Sequence, residues 1–124
     1  MANRGRYFLN CIAAGTCAAL AGTSAKLISS DVLPITPHFV RTAFCVSGLV
    51  VFNILMWVNF TTAMQGMRTV TATSCTTTVN FLVSGFTGWV LFGEVVTVSW
   101  LVGVGLIVVG VILLNSDSDK TKEE

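Results

Sequence analysis

The stretch that most constrains this chain runs from Asn80 to Leu114, where Glu94 is the one charge in an otherwise neutral, mostly apolar sequence. Its composition predicts two apolar helices joined by a tight turn at Phe92-Gly93-Glu94. A helix satisfies its own backbone hydrogen bonds, so it is stable in lipid, where water is absent. We therefore expect both helices to cross a membrane.

The rest of the chain is also poor in charge. Of its 124 residues, 53% are hydrophobic and 10% are charged, whereas a soluble domain carries about 25% charged residues. This composition favours one membrane domain and no separate soluble module. The net charge of +1 provides no basic surface for nucleic acid, and no cofactor is predicted.

Four apolar segments predict an all-α membrane protein with four transmembrane helices. We expect a domain over residues 1–115, with spans at about 7–28, 39–60, 69–92 and 98–114, and a polar cytosolic tail at 116–124. Each segment approaches the roughly 20 residues that a span needs. For the first segment a cleaved signal peptide, cut near Ala19-Leu20-Ala21, is an open alternative, although the apolar sequence continues beyond that point.

Small residues recur at a spacing of four within two of the predicted spans. This spacing places each row on one helix face, where helix backbones can approach closely in a membrane. We expect the row on the third span to face the interior of the bundle. The rows are Ala14/Ala18/Gly22 and Gly15/Ala19/Thr23 on the first span, and Ala72/Thr76/Asn80/Ser84/Gly88 on the third.

The cysteines are predicted to be small buried hydrophobes rather than disulfide partners or metal ligands, because all four lie in apolar segments and no Cys/His pair has metal-ligand spacing. They are Cys11, Cys17, Cys45 and Cys75. The chain also has no nucleophile–base pair, phosphate loop or pair of carboxylates. It is therefore not predicted to be an enzyme.

Two amides near mid-span are the main candidates for a solute site. In a membrane an amide either forms a hydrogen bond to a neighbouring helix or lines a cavity, and the sequence leaves both interpretations open. If a cavity exists, we expect it to bind a neutral or weakly polar solute. Its predicted lining is Asn53, Thr76, Asn80, Ser84 and Trp89.

Three charges near the predicted span ends also have two interpretations. Lys26 either contacts a substrate or extends to the non-cytosolic interface, and Arg41 lies at the same surface, where Asp31 is a candidate partner. Glu94 either gates a cavity or occupies a turn near the positive dipole end of the last helix.

The distribution of Lys and Arg predicts the orientation. With four spans both termini lie on one side, and that side has more basic residues than the opposite side, so the positive-inside rule places it in the cytosol. The basic residues are Arg4, Arg6, Arg68, Lys120 and Lys122 on the first side, against Lys26 and Arg41 on the other.

Lys120 and Lys122 are also similar to a dilysine signal that coat proteins recognise and that retrieves membrane proteins to the endoplasmic reticulum. Such signals are addresses read by a receptor. The alternative is a charged tail that improves solubility. The first interpretation predicts localisation to the endoplasmic reticulum or the early secretory pathway.

The run Gly88-Trp89-Val90-Leu91-Phe92-Gly93-Glu94 and the glycine-spaced last helix, with Gly103 and Gly110, resemble the end of an EamA-like repeat. Lys26, closing the first span, and Arg41, opening the second, fit the same pattern. The chain thus resembles the drug/metabolite transporter superfamily, in a four-helix layout similar to the small multidrug resistance proteins, and most of all the eukaryotic transmembrane protein 42 family. The resemblance implies half of a transporter, acting as a homodimer or hetero-oligomer through small-residue helix faces.

One departure from that family bears on function. Small multidrug resistance exporters carry a carboxylate in the middle of the first span, and the matching position here falls at or near Ala18. Neither it nor its neighbours Cys17 and Ala19 is acidic. A charge in the membrane interior is costly and usually serves an ion pathway, so we do not expect proton-coupled export of cations. The alternative function is a non-transporting assembly or adaptor protein of the early secretory pathway.

Overall fold

A computed structural model describes residues 2–30 and 37–120. These residues form four α-helices: α1 (Ala2–Ser29), α2 (His38–Gly66), α3 (Thr69–Phe92) and α4 (Val98–Lys120). The prediction of an all-α chain with four helices is confirmed. By length and composition, α1, α2 and α3 are suited to cross a membrane, whereas the apolar part of α4, Val98–Leu114, is shorter.

Three helices extend further than predicted, and α1 begins at Ala2 instead of near Tyr7. Helix α2 continues from the expected end near Phe60 to Gly66. The hydroxyls of Thr61 and Thr62 donate to carbonyls one turn earlier, at 2.7 and 2.8 Å, so these polar side chains satisfy their hydrogen bonds within the helix. Helix α4 likewise continues through most of the polar tail to Lys120.

Helix α1 is the centre of the bundle. It packs against both α2 and α3, which contact each other much less, and α4 contacts only α3 among the described helices. Small residues explain this position, since Ala14 and Ala19 of α1 are almost completely buried. At Gly15, an added Cβ would lie 2.6 Å from the carbonyl oxygen of Thr76. The backbones of α1 and α3 are therefore in direct contact there.

In the α1–α2 and α3–α4 pairs, an aromatic ring of one helix packs on a glycine of the other. The ring of Tyr7 on α1 covers Gly66 at the end of α2, and the indole of Trp100 on α4 covers Gly85 of α3. In each pair an added Cβ on the glycine would overlap the ring. Each glycine thus provides the flat surface on which the partner helix packs.

Large apolar side chains cover the outside of the bundle. Phe39 and Phe44 on α2 are 83% and 80% exposed, and Leu106 on α4 is 69% exposed. Soluble monomers rarely expose continuous apolar surface on this scale, whereas lipid solvates it. The outer surface therefore fits an integral membrane protein.

Candidate functional site

The helix order places charged residues at two ends of the bundle. At one end, called here the Lys26 end, α1 ends with Lys26 in its last turn, α2 begins near Arg41, and Glu94 lies in the turn between α3 and α4. The opposite end, called the Tyr7 end, holds the start of α1 and the short link between α2 and α3. The two ends differ in chemistry and are described separately below.

The turn after α3 directs Glu94 back toward the helix. Gly93 has φ 61°, the one left-handed conformation among the described residues, which glycine adopts without steric cost. The backbone N–H of Glu94 then donates to the carbonyl of Gly88 at 3.3 Å. Its carboxylate lies against the same glycine, since an added Cβ on Gly88 would be 2.7 Å from Oε2.

Lys26 of α1 forms an ion pair with the returning carboxylate of Glu94. The Lys26 ammonium also lies over the ring of Phe92, 4.6 Å from its centroid, within the range of a cation–π contact. Both charged side chains remain about half exposed, at 46% and 56%, and such pairs contribute about 0–1 kcal/mol in water. The pair therefore joins α1 to the α3–α4 turn with only a small net stabilisation.

A cavity of about 360 Å³ lies beside this ion pair and is called the Lys26 cavity. Its lining combines small residues of α1 and α3 with three aromatic rings. Its lining residues are Ala19, Gly22, Thr23, Lys26, Phe81, Ser84, Gly85, Gly88, Phe92, Glu94 and Trp100.

A second cavity, of about 240 Å³, lies near mid-span between α1, α2 and α3 and is called the Asn80 cavity. Aromatic and hydroxyl side chains line it together with one amide. The Thr76 hydroxyl oxygen is buried and has no hydrogen-bond partner within residues 2–30 and 37–120, which is unusual for a buried polar atom. The lining residues are Ala18, Met56, Trp57, Phe60, Thr73, Thr76, Thr77 and Asn80.

The structure brings three of the five predicted cavity residues together. Thr76 and Asn80 line the Asn80 cavity, Ser84 lines the Lys26 cavity, and the Ser84 hydroxyl donates to Asn80 Oδ1 at 3.2 Å. These residues follow each other at a spacing of four on one face of α3. The row thus runs continuously between the two cavities, but Ser84 is exposed and does not face the interior of the bundle as predicted.

Asn53 and Trp89 lie apart from this row. The Asn53 amide donates to the Leu49 carbonyl of its own helix at 2.8 Å. Trp89 follows Gly88 directly, so it lies about 100° around α3 from the row, beside the α3–α4 turn in a further cavity that also includes Trp100.

The residues that carry the resemblance to an EamA-like repeat lie in two separate places. Lys26, Arg41, Gly93 and Glu94 lie at the Lys26 end. Gly103 and Gly110 lie on α4, where nothing stands within 4 Å of an added Cβ. Arg41 is 9% exposed, and its proposed pairing with Asp31 lies outside the described residues.

Sequence reasoning did not predict the contact between Lys26 and Glu94, which are 68 positions apart. The feature of the sequence that could have indicated this contact is that the two residues have opposite charge and occupy span ends on the same side of the bundle. Of the two lysines of the predicted retrieval signal, Lys120 ends α4, and Lys122 lies outside the described residues.

No protein-family model matches the chain, and no solved structure has a significant match to it.

Proposed function

We propose that this chain is one half of a membrane transporter of the drug/metabolite type, which moves a small neutral or weakly polar solute as a homodimer or hetero-oligomer. Four helices provide one half of the inverted pair between which such transporters alternate access. A second copy or a related partner supplies the other half.

The observation that supports this proposal is the polar row on α3, which runs from the Asn80 cavity at mid-span to the Lys26 cavity at one end. Thr76, Asn80 and Ser84 provide hydrogen-bonding groups along it. Ala18 also lines the Asn80 cavity, at the position that would carry the carboxylate of a cation exporter. The lining of the Asn80 cavity has amide and hydroxyl groups but no charged residue, which suits a neutral solute. The charges of Lys26 and Glu94 lie in the Lys26 cavity.

Replacement of Asn80 by Leu is expected to reduce solute flux by about tenfold, because the solute loses its amide partner and the cavity gains an apolar wall. The measurement is efflux of labelled neutral solutes, such as glycerol, urea and small sugars, from proteoliposomes that contain the protein. Asn53→Leu is the matched control, since that amide bonds to its own helix, and its flux should equal that of the wild type.

The solute-pathway proposal is contradicted if wild-type flux equals that of empty liposomes, or if Asn53→Leu reduces flux as much as Asn80→Leu does. Equal flux of wild type and Asn80→Leu also contradicts it.

A second candidate function is a non-transporting assembly or adaptor protein. The observation that favours it is the position of α4, which contacts only α3 among the described helices and leaves open space at Gly103 and Gly110. Small residues on a free membrane helix allow close approach of another helix. In that function Asn80→Leu leaves partner binding intact, while Gly110→Leu weakens it.

We place the protein in the endoplasmic reticulum or early secretory pathway, through recognition of Lys120 and Lys122 by coat proteins. Replacing both lysines by Ser is expected to move the protein to later compartments. Fluorescence microscopy of tagged protein measures this, with Lys26→Ser as the control that retains the tail. An unchanged location in the double variant contradicts the retrieval signal.

A further inference from the structure

Three sulfur atoms meet at the Tyr7 end of the bundle, and each comes from a different element. Cys11 lies on α1, Cys75 on α3, and Met67 in the link between α2 and α3. The Cys11 sulfur is 3.9 Å from the Met67 sulfur, and Cys75 belongs to the same buried cluster as Cys11, with Met67 packed against it. Cys11 is fully buried and Cys75 is 6% exposed.

The separation of the Cys11 and Met67 sulfur atoms fits two ligands of a three-coordinate metal site. Bonds from sulfur to a first-row metal ion are about 2.3 Å long. Two sulfurs at the corners of a trigonal plane around one ion are then about 4 Å apart, by the same bond length. The observed separation of 3.9 Å between the Cys11 and Met67 sulfur atoms is therefore close to the separation of two sulfur ligands that share one ion.

The ligand set favours one metal over the others. Thiolate and thioether sulfurs together select Cu(I), a soft ion, whereas structural Zn(II) takes four ligands from thiolates, imidazoles and carboxylates. The one histidine of the chain, His38, begins α2 at the Lys26 end, so it is remote from these sulfurs. The residues Ala63, Ala72 and Phe60, which pack in the same cluster, are apolar.

We propose that Cys11, Cys75 and Met67 form a binding site for one Cu(I) ion. Binding replaces the two thiol S–H bonds by two copper–sulfur bonds and releases two protons, while the thioether of Met67 donates a lone pair. Copper remains in the +1 state, so no oxidant or reductant is consumed. The bound site carries one net negative charge.

Met67 is the most exposed of the three proposed ligands. It follows the last residue of α2 in an extended conformation, φ −133° and ψ 159°, and its side chain is partly exposed, whereas both thiols are buried. An ion that approaches from this end therefore reaches the Met67 thioether more readily than the thiols.

The test is a titration of the reduced, purified full chain in detergent with the coloured Cu(I)–bicinchoninate complex. We expect the wild type to remove one equivalent of Cu(I) from the dye. Met67→Leu keeps the apolar volume and both thiols, and is expected to weaken Cu(I) binding by at least about tenfold, the lower range for a perturbed metal site. Cys11→Ser and Cys75→Ser are expected to abolish competition with the dye.

The chain contains its own control cysteines. Cys17 and Cys45 lie outside the cluster, so Cys17→Ser and Cys45→Ser should bind copper like the wild type. X-ray absorption of the wild-type complex should show a copper shell made only of sulfur, and this measurement does not depend on whether any variant folds. Loss of binding in the control variants, full binding by Met67→Leu, or nitrogen and oxygen ligands in the absorption spectrum would each overturn the proposal.

Discussion

Replacing Gly15 by Ala is expected to lower the free energy of unfolding by about 1–3 kcal/mol, the range for an overpacked interior. The added methyl would lie 2.6 Å from the Thr76 carbonyl oxygen and 2.7 Å from Val79 Cβ. The first of these atoms belongs to the backbone of α3, which cannot rotate away as a side chain can. The central helix must therefore separate from α3 and lose contacts along both helices.

Gly22→Ala is the matched control for this prediction. Gly22 lies on the same helix, and an added Cβ meets nothing within 4 Å. In an exposed helix position, alanine is more favourable than glycine by about 1 kcal/mol, so this variant should be as stable as the wild type or more stable. Unfolding in mixed detergent micelles measures both variants, and equal stability of Gly15→Ala and Gly22→Ala would show that α1 does not pack on α3 as described.

The two glycines also show how far the sequence predicted the packing. A spacing of four indicated two small-residue rows on α1, and Ala14, Gly15 and Ala19 are buried as expected. The same rule placed Gly22 in a packed row, but Gly22 lines the Lys26 cavity instead. The sequence spacing of small residues shows which face of a helix they share. How closely a second helix approaches that face at each position along the axis depends on the side chains of both helices.

The ion pair between Lys26 and Glu94 has a similar explanation. The sequence placed both residues at span ends on one side of the bundle, but contact also requires the left-handed turn at Gly93 and the absence of a side chain at Gly88. The amides show the same limit. Asn53 and Asn80 each lie near the middle of a predicted span. The Asn53 amide nevertheless donates a hydrogen bond to its own helix, whereas Asn80 lines a cavity.

The proposed transporter architecture depends on α4 crossing the membrane and returning the C-terminus to the side of the N-terminus. The apolar part of α4, Val98–Leu114, is about 26 Å long at 1.5 Å per residue, slightly short of a hydrocarbon core of about 30 Å. A bilayer accommodates such a mismatch by local thinning. The basic residues near the start of α1, in the α2–α3 link and in the tail favour the same cytosolic side for both ends.

Accessibility of tags at the two ends tests this arrangement most directly. Each tag is placed in a separate version of the full chain and probed with antibody in cells whose plasma membrane alone is permeabilised. If all four helices cross the bilayer, antibody reaches both tags under this condition. An N-terminal tag that is labelled, with a C-terminal tag that is labelled only after all membranes are dissolved, would contradict the four-span arrangement and the half-transporter built on it.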